Sequence, residues 1–223
     1  MPDWFKRRYL DVLASIYLYN EHRGYTAIDQ VLAAVRQQEP CDPVMIAMVE
    51  RHRKDERAHY LMFRRWFERR GEMPFALDRT FGHIDRFIEI MFGASINGLD
   101  TQAIVSSDHL FARLCRVISL TEQRGYRQVE VLLGNAMVLG DPVLPRIFAI
   151  IHKDEPSHWA PYDRWLALHA GRQPRWWERM VDGFIHAELL FVKLPFLFLN
   201  PWIARRHDWP EEGDADGREI KAL

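Results

Sequence analysis

The chain has 223 residues, and its 30 basic and 31 acidic side chains leave a formal net charge of -1. A protein that binds nucleic acid needs a positive field to attract phosphates, so this balance argues against that class. Hydrophobic residues form 48% of the sequence, which is typical of a globular protein and excludes a disordered one.

Cysteine usage and the N-terminal sequence indicate a reducing compartment. The two cysteines, Cys41 and Cys115, are far apart, which fits neither a disulfide framework nor a Cys-x-x-Cys metal or redox site. Residues 1–11 are charged and lack the apolar run of a secretory signal peptide. We therefore expect a cytoplasmic protein.

Five short blocks of sequence recur in the same order at a nearly constant offset. Such self-similarity is typical of an internal duplication. It predicts a single domain over residues 1–203 that consists of two tandem repeats, about 4–100 and 101–200, followed by a polar, disordered tail over 204–223. The paired blocks are 21–25 with 122–126, 54–59 with 153–158, 65–66 with 164–165, 71–74 with 171–174, and 85–88 with 182–185.

The first repeat predicts three helices. The first of them ends near Gln37, because Pro40 and Pro43 break the pattern there. The second helix ends at the Gly- and Pro-containing block 71–74, and a third lies around 81–92.

The second repeat predicts the same three helices. Its first helix runs to a break at Gly140 and Pro142, and its second ends at 171–174. Its third helix lies around the apolar residues 184–198. Since no stretch keeps the strict period-two alternation of a strand, the sequence predicts an all-α protein.

The most apolar stretch of the chain is 183–202. It contains His186, Glu188, Lys193 and Pro195, which argue against a helix that crosses a membrane. It is either buried within the protein or under a partner, which we favour, or it lies on a membrane surface.

Four glutamates and two histidines are predicted to face the interior at one level. A helix turns by about 100° per residue, which places a glutamate in the middle of the apolar stripe of each first helix. Each second helix carries Glu-x-x-His, whose two side chains lie side by side because they are three residues apart. The six side chains are Glu21, Glu56, His59, Glu122, Glu155 and His158.

Four inward carboxylates at one level indicate bound metal ions. A single inward glutamate is usually a tolerated or ion-paired core residue, but burying four without cations costs several kcal/mol each or forces protonation. Four carboxylates balance two divalent ions, and mixed carboxylate and imidazole ligands suit iron or manganese. Zinc more often takes sulfur or three histidines, and calcium does not select imidazole.

His52 lies one turn before Glu56 on the same inward stripe. The equivalent residue of the second repeat is Ile151, which cannot bind a metal. We therefore interpret His52 as a hydrogen-bonded core histidine.

Pro156 stands between Glu155 and His158. A proline inside a helix removes a hydrogen bond and clashes one turn back, so the helix is either kinked or bulged there, or restarts at Pro156. A restart would move Glu155 away from His158.

The two Asp-Glu-x-x-His motifs, 55–59 and 154–158, together with Glu21 and Glu122, resemble the ferritin-like superfamily of di-iron carboxylate proteins. The resemblance implies a four-helix bundle with two additional helices. It also implies that the motif glutamates bridge two irons, while Glu21 and Glu122 are terminal ligands.

The resemblance also assigns a role to the aspartates that precede the motif glutamates. It implies that Asp55 and Asp154 each hydrogen-bond the metal-bound histidine of the other motif and so orient its ring. Their alternative interpretation is ordinary charge on a helix surface.

The tandem duplication is similar to that of the demethoxyubiquinone hydroxylases. This likeness covers most of residues 4–190 in architecture but is specific only at the ligands and at the Glu-x-x-Gly pattern of the first helix. The spacing from Glu56 to Glu122 is longer than we would expect of a near relative. Gly125 occupies the place where rubrerythrin-like peroxidases usually carry an additional glutamate, which argues against them.

The resemblance implies a di-iron oxidoreductase that activates dioxygen to hydroxylate or desaturate a hydrophobic small molecule, with an electron-donor protein or small reductant as partner. One alternative is an iron-handling or oxidative-stress protein without an organic substrate. Another is a non-catalytic helical binding module, although intact ligands in both repeats argue against it. A homodimer and peripheral membrane contact are both compatible with the sequence.

Overall fold

The structure is a computed structural model that describes residues 2–169 and 174–210. Within these ranges the protein is helical and contains no β-strand, only an isolated bridge between Phe75 and Arg205, so the prediction of an all-α protein is confirmed. The helices are α1 (Asp3–Val35), α2 (Pro43–Glu68), α3 (His83–Phe92), α4 (Thr101–Val105), α5 (Asp108–Leu133), α6 (Ala136–Leu139), α7 (Leu144–His169), α8 (Trp176–Glu188) and α9 (Leu194–Leu199), with a π-helical turn at Leu189–Lys193 and 3-10 turns at Arg79–Phe81 and Ile96–Gly98.

Four long helices form the body of the molecule. Helix α1 packs against α2, α5 packs against α7, and α2 joins the two pairs by packing against α7. Helices α2 and α7 begin alike, because Asp42 and Asp141 each accept hydrogen bonds from backbone N–H groups of the first turn. These caps satisfy backbone donors that would otherwise lack partners.

The second long helix pair departs from the sequence prediction at one point. The sequence predicts a helix that runs to Gly140, but α5 ends at Leu133 and the short helix α6 follows. The reason is Asn135, whose side-chain oxygen accepts hydrogen bonds from the N–H groups of Met137 and Val138 and so starts a new helix.

Helix α7 continues through Pro156 and Pro161 without a restart. Each proline removes one backbone donor, while the packing of α7 against α2 and α5 holds the flanking turns in register. Glu155 and His158 therefore remain buried on the same face.

Besides a smaller cluster around Phe75 and Leu189, the described residues form two apolar clusters between the four long helices, one towards each end. One contains residues 28–35 of α1 and 111–120 of α5, and the other contains residues 10–25 of α1 and 60–67 of α2. On α2, α5 and α7 the inward glutamate lies between the two clusters in sequence, whereas on α1 Glu21 lies between Leu18 and Tyr25 of the same cluster. The carboxylates thus form a polar layer enclosed by apolar packing.

The helix that enters the apolar stretch 183–202 starts earlier than predicted, because α8 already begins at Trp176. The inner side of the stretch packs through Ile185, Leu189 and Leu197, but its outer side is exposed. The chain itself therefore buries only the inner side of the stretch, and cover of the outer side by a partner stays a prediction. None of the described helices is long and apolar enough to cross a bilayer.

The chain after residue 203 returns to the body of the molecule. The N–H of Ala76 donates to the carbonyl of Ala204, and the N–H of Arg206 donates to that of Pro74. Arg205 also forms an ion pair with the buried Asp11. The predicted tail is therefore attached over 204–206. Residues 211–223, like 170–173 within the second predicted helix end, lie outside the described part of the chain.

Candidate metal centre

The polar layer brings together all six side chains that the sequence places inward. Helices α1, α2, α5 and α7 each contribute one glutamate, and α2 and α7 each add a histidine. Glu21, Glu56 and Glu155 are buried, and Glu122 is largely buried, with 15% of its side chain exposed.

His59 lies between carboxylates on both sides of its ring. Its Nδ1 is 3.3 Å from Oε2 of Glu21 and 4.0 Å from Oε1 of Glu56, and its Nε2 is 3.4 Å from Oδ2 of Asp154. Because a carboxylate accepts hydrogen bonds, Asp154 favours the tautomer with the proton on Nε2. In this tautomer Nδ1 would bind a metal ion beside Glu21 and Glu56 in place of its contact with Glu21.

His158 repeats this arrangement with the other motif. Its Nδ1 is 3.2 Å from Oε1 of Glu56, 3.8 Å from Oε2 of Glu155 and 3.9 Å from Oε2 of Glu122. Its Nε2 faces Oδ2 of Asp55 at 3.7 Å. The aspartate of each motif thus faces the histidine of the other, as the resemblance implies.

His52 belongs to the same cluster, which the sequence analysis missed. Its Nε2 is 3.6 Å from Oε1 of Glu122 and 3.9 Å from Oε1 of Glu56, and its ring stacks on His158 with the centroids 4.4 Å apart. Its Nδ1 lies 3.2 Å from the hydroxyl of Tyr162. The interpretation as a hydrogen-bonded core histidine explains the contact of Nδ1 with Tyr162, but it does not explain why Nε2 lies beside two carboxylates. The available signal was its place one turn before Glu56 on the inward stripe.

The cluster perturbs the acidity of its own carboxylates. Burial, reinforced by repulsion from Glu56, raises the pKa of Glu21 to about 7 and that of Glu122 to about 8. Burial and the neighbouring carboxylates also raise the pKa of Glu155 well above its ordinary value.

The pKa values of the two motif histidines are raised, which favours their protonated forms. Burial opposes their charged form, but hydrogen bonds from His59 to Asp154 and Glu21 outweigh it and raise its pKa to about 10. The carboxylates of Asp55 and Glu56 beside its ring likewise outweigh burial and raise the pKa of His158 to about 9. Without metal ions, the layer therefore keeps protons at neutral pH that cations would displace.

The donor atoms fall into two groups that share one residue. Within each group the donor atoms lie within 4.8 Å of one another, and Glu56 belongs to both groups, as a bridging ligand would. Nε2 of His52, Nδ1 of His158 and Oε2 of Glu155 are buried and make no hydrogen bond, so a cation would satisfy them. The groups are His52, Glu56, Glu122 and His158, and Glu21, Glu56 and His59.

Two glycines make room for the motif carboxylates. A Cβ atom at Gly24 would overlap the carboxylate of Glu56, and one at Gly125 would lie 3.2 Å from Oε1 of Glu155. The Glu-x-x-Gly pattern of the first helices thus has a physical reason. The glycine lets the carboxylate of the neighbouring helix enter the layer.

A cavity of about 1030 Å³ borders the polar layer. Its wall includes the carboxylates of Glu21, Glu56, Glu122 and Glu155 and consists otherwise mostly of apolar side chains from α1, α3, α5, α8 and α9. A volume of this size can enclose a long apolar molecule.

No protein-family model, curated protein or solved structure matches the chain. The resemblance to the ferritin-like superfamily therefore stays a prediction from the sequence motifs. We infer the function from the contacts of the site residues.

Proposed function

We propose that the protein is a di-iron oxidoreductase that uses dioxygen to hydroxylate or desaturate an apolar small molecule in the cavity beside the polar layer. In a hydroxylation, one oxygen atom enters a C–H bond of the substrate and the other leaves as water. This balance requires two electrons and two protons, which an external donor protein or small reductant supplies. In this proposal α1, α2, α5 and α7 form a ferritin-like bundle of two tandem repeats, with α3 and α8 as the additional helices.

The proposed metal ligands are the two donor groups. Glu21, Glu56 and His59 hold one ion, while His52, Glu122 and His158 hold the other together with Glu56. Glu155 lies beside the second group and can complete either ion. Once bound, the metal pair supplies the redox chemistry that amino-acid side chains lack.

The side chains around the proposed ions orient and shield them. Asp55 and Asp154 hold the motif histidines with Nδ1 towards the carboxylates, which fixes the rings and raises their basicity. The apolar clusters pack on both sides of the layer and limit its contact with water.

The observation that carries the proposal is the apolar cavity whose wall includes all four ligand carboxylates. A protein that only handled iron would not need a largely apolar cavity of this size beside its ligand carboxylates, because hydrated ions do not enter apolar surroundings. A non-catalytic binding module gives no reason for buried imidazole nitrogens without hydrogen bonds.

Metal loading tests the site itself. The wild-type protein, incubated with ferrous iron without oxygen and desalted, is expected to retain two irons per chain by elemental analysis. Glu56→Ala removes the residue common to both groups and is expected to retain fewer than one. Glu50→Ala is the matched control, because Glu50 is an exposed glutamate of the same helix. Equal iron in all three proteins would contradict the proposal.

Blocking the cavity separates substrate oxidation from metal binding. Ala27 lines the cavity without contributing a ligand, so Ala27→Phe is expected to leave the iron content unchanged. Oxygen consumption in the presence of a reductant and long-chain apolar molecules is expected to fall at least about tenfold relative to the wild type. Iron-loaded wild-type protein that consumes no oxygen with any such molecule would leave iron handling as the function.

A further inference from the structure

Helix α8 has its charged side inside and its apolar side outside. Glu178 is completely buried, with its Oε2 2.9 Å from Nε of Arg116, and Asp182 pairs with Arg124. Both arginines belong to α5 and are themselves buried. Helices at a protein surface normally turn their charges towards water, so the medium outside α8 is expected to be apolar.

The outward face is apolar from α8 through the π-helical turn to α9. Trp176 is 73% exposed, Phe191 is 78% exposed and Trp202 is 87% exposed. Met180, Phe184 and Leu199 are also exposed. A continuous apolar face of this kind is rare on a protein that is surrounded only by water.

The exposed charges on this segment are all positive. Among residues 175–202, all described, the exposed charged side chains are Arg175 and Arg179, and Arg179 also interacts with another residue of the chain. Glu188 is partly buried, and its carboxylate lies 3.4 Å from Nζ of Lys193. The face therefore offers apolar contact together with positive charge and no exposed acidic group.

We propose that this outward face of α8, the π-helical turn and α9 binds the surface of an anionic lipid bilayer and lies within the interface without crossing the membrane. An anionic bilayer supplies what the face lacks, namely an apolar layer and negative headgroups. Tryptophans at both ends of the segment, Trp176 and Trp202, suit the boundary between lipid and water.

The same segment forms part of the cavity wall. Leu190 and Leu199 are exposed on the outer surface and also line the cavity, as do Leu194 and Phe198. Docking would thus bring the cavity next to the bilayer, from which an apolar molecule can enter without passing through water. This delivery route rests on the proposed function, whereas the docking does not.

Co-sedimentation of the full chain with vesicles tests the docking. We expect binding to vesicles of equimolar phosphatidylcholine and phosphatidylglycerol, and weaker binding to phosphatidylcholine alone. Phe184→Asp with Phe191→Asp is expected to reduce the affinity at least about tenfold, because each phenylalanine loses its transfer into an apolar phase. Arg175→Gln with Arg179→Gln is expected to reduce binding to the anionic vesicles only.

Leu168→Asp is the matched control, because Leu168 is exposed on α7 outside this segment, and it is expected to bind like the wild type. Folding of every variant is checked by circular dichroism. No sedimentation of the wild type with either vesicle would overturn the proposal. So would a wild-type dimer in light scattering that Phe191→Asp dissociates while vesicle binding stays unchanged, since a second copy would then cover the face. Iron content, measured in parallel, reports on the metal site independently of either result.

Discussion

At the scale of single residues, His52 has two ring nitrogens in different surroundings. Nδ1 meets the hydroxyl of Tyr162, while Nε2 points at the carboxylates of Glu56 and Glu122 without a hydrogen bond. Burial lowers its pKa well below the ordinary value, so the ring is neutral and able to bind a cation. The two proposed ions therefore have different ligand sets, with one more imidazole on the His158 side.

The variant His52→Ile tests this assignment. Isoleucine is expected to fit, because Ile151 is fully buried at the matching position of α7. We expect the affinity for one of the two ions to fall at least about tenfold and that for the other to change little. Titration with cobalt(II), followed by visible absorption, measures both steps. Tyr162→Phe keeps the imidazole and should weaken the same ion less, whereas two unchanged steps in His52→Ile would leave His52 a core residue only.

At the scale of elements, the approach of α1 to α2 depends on Gly24. A Cβ atom there would overlap the Glu56 carboxylate. Glycine therefore leaves room for this carboxylate, although it lowers the stability of the helix. Glycine destabilises a helix interior by about 0.5–1 kcal/mol relative to alanine. Its presence in the middle of α1 is explained by the packing of the site, not by the helix.

Gly24→Ala is expected to lose bound iron while the protein remains folded. Gly183→Ala is the matched control, because Gly183 lies inside α8 with nothing within 4 Å of the added Cβ. That control should raise the free energy of unfolding by about 0.5–1 kcal/mol and leave the iron content unchanged. Chemical denaturation and elemental analysis measure both quantities, and full iron content in Gly24→Ala would contradict the packing argument.

The same scale explains where helix boundaries differ from the sequence pattern. The sequence predicts that the first helix of the second repeat runs to Gly140, yet the Asn135 cap ends α5 and starts α6. Conversely, Pro156 suggests a break that α7 does not have, because contacts with α2 and α5 stabilise the helix around it. At Asn135 the local side-chain cap decides where the helix ends. At Pro156 tertiary packing outweighs the local tendency of proline to break a helix.

At the scale of the whole molecule, the polar layer couples stability to pH. Glu21 and Glu122 have pKa values raised from 4.5 to about 7 and about 8, and those of His59 and His158 are raised from 6.5 to about 10 and about 9. Between the ordinary and the raised values the folded state binds more protons than the unfolded state. Stability of the metal-free protein must therefore decrease as the pH rises through this window.

We expect the Tm of the metal-free protein to fall steadily from about pH 6 to about pH 9. Ferrous or cobalt(II) ions should reverse this trend, because they displace the protons and bind only the folded site. Thermal unfolding followed by circular dichroism measures the effect. Glu21→Gln with Glu122→Gln removes two of the titrating groups and should flatten the metal-free curve. A Tm that rises over the same range would contradict the assigned pKa directions.

The sequence by itself determined the helical class and the identities of the six inward side chains, because helical periodicity and the spacing of the two Glu-x-x-His motifs are local properties of the chain. The tandem repeat stays a prediction from the same patterns. Only the tertiary structure decided that His52 joins the cluster, that Gly24 faces Glu56, that a cavity borders the carboxylates and that the acidic residues of α8 turn inward. These features depend on which residues of distant segments come into contact, and periodicity along one helix carries no information about what the neighbouring helix places opposite it.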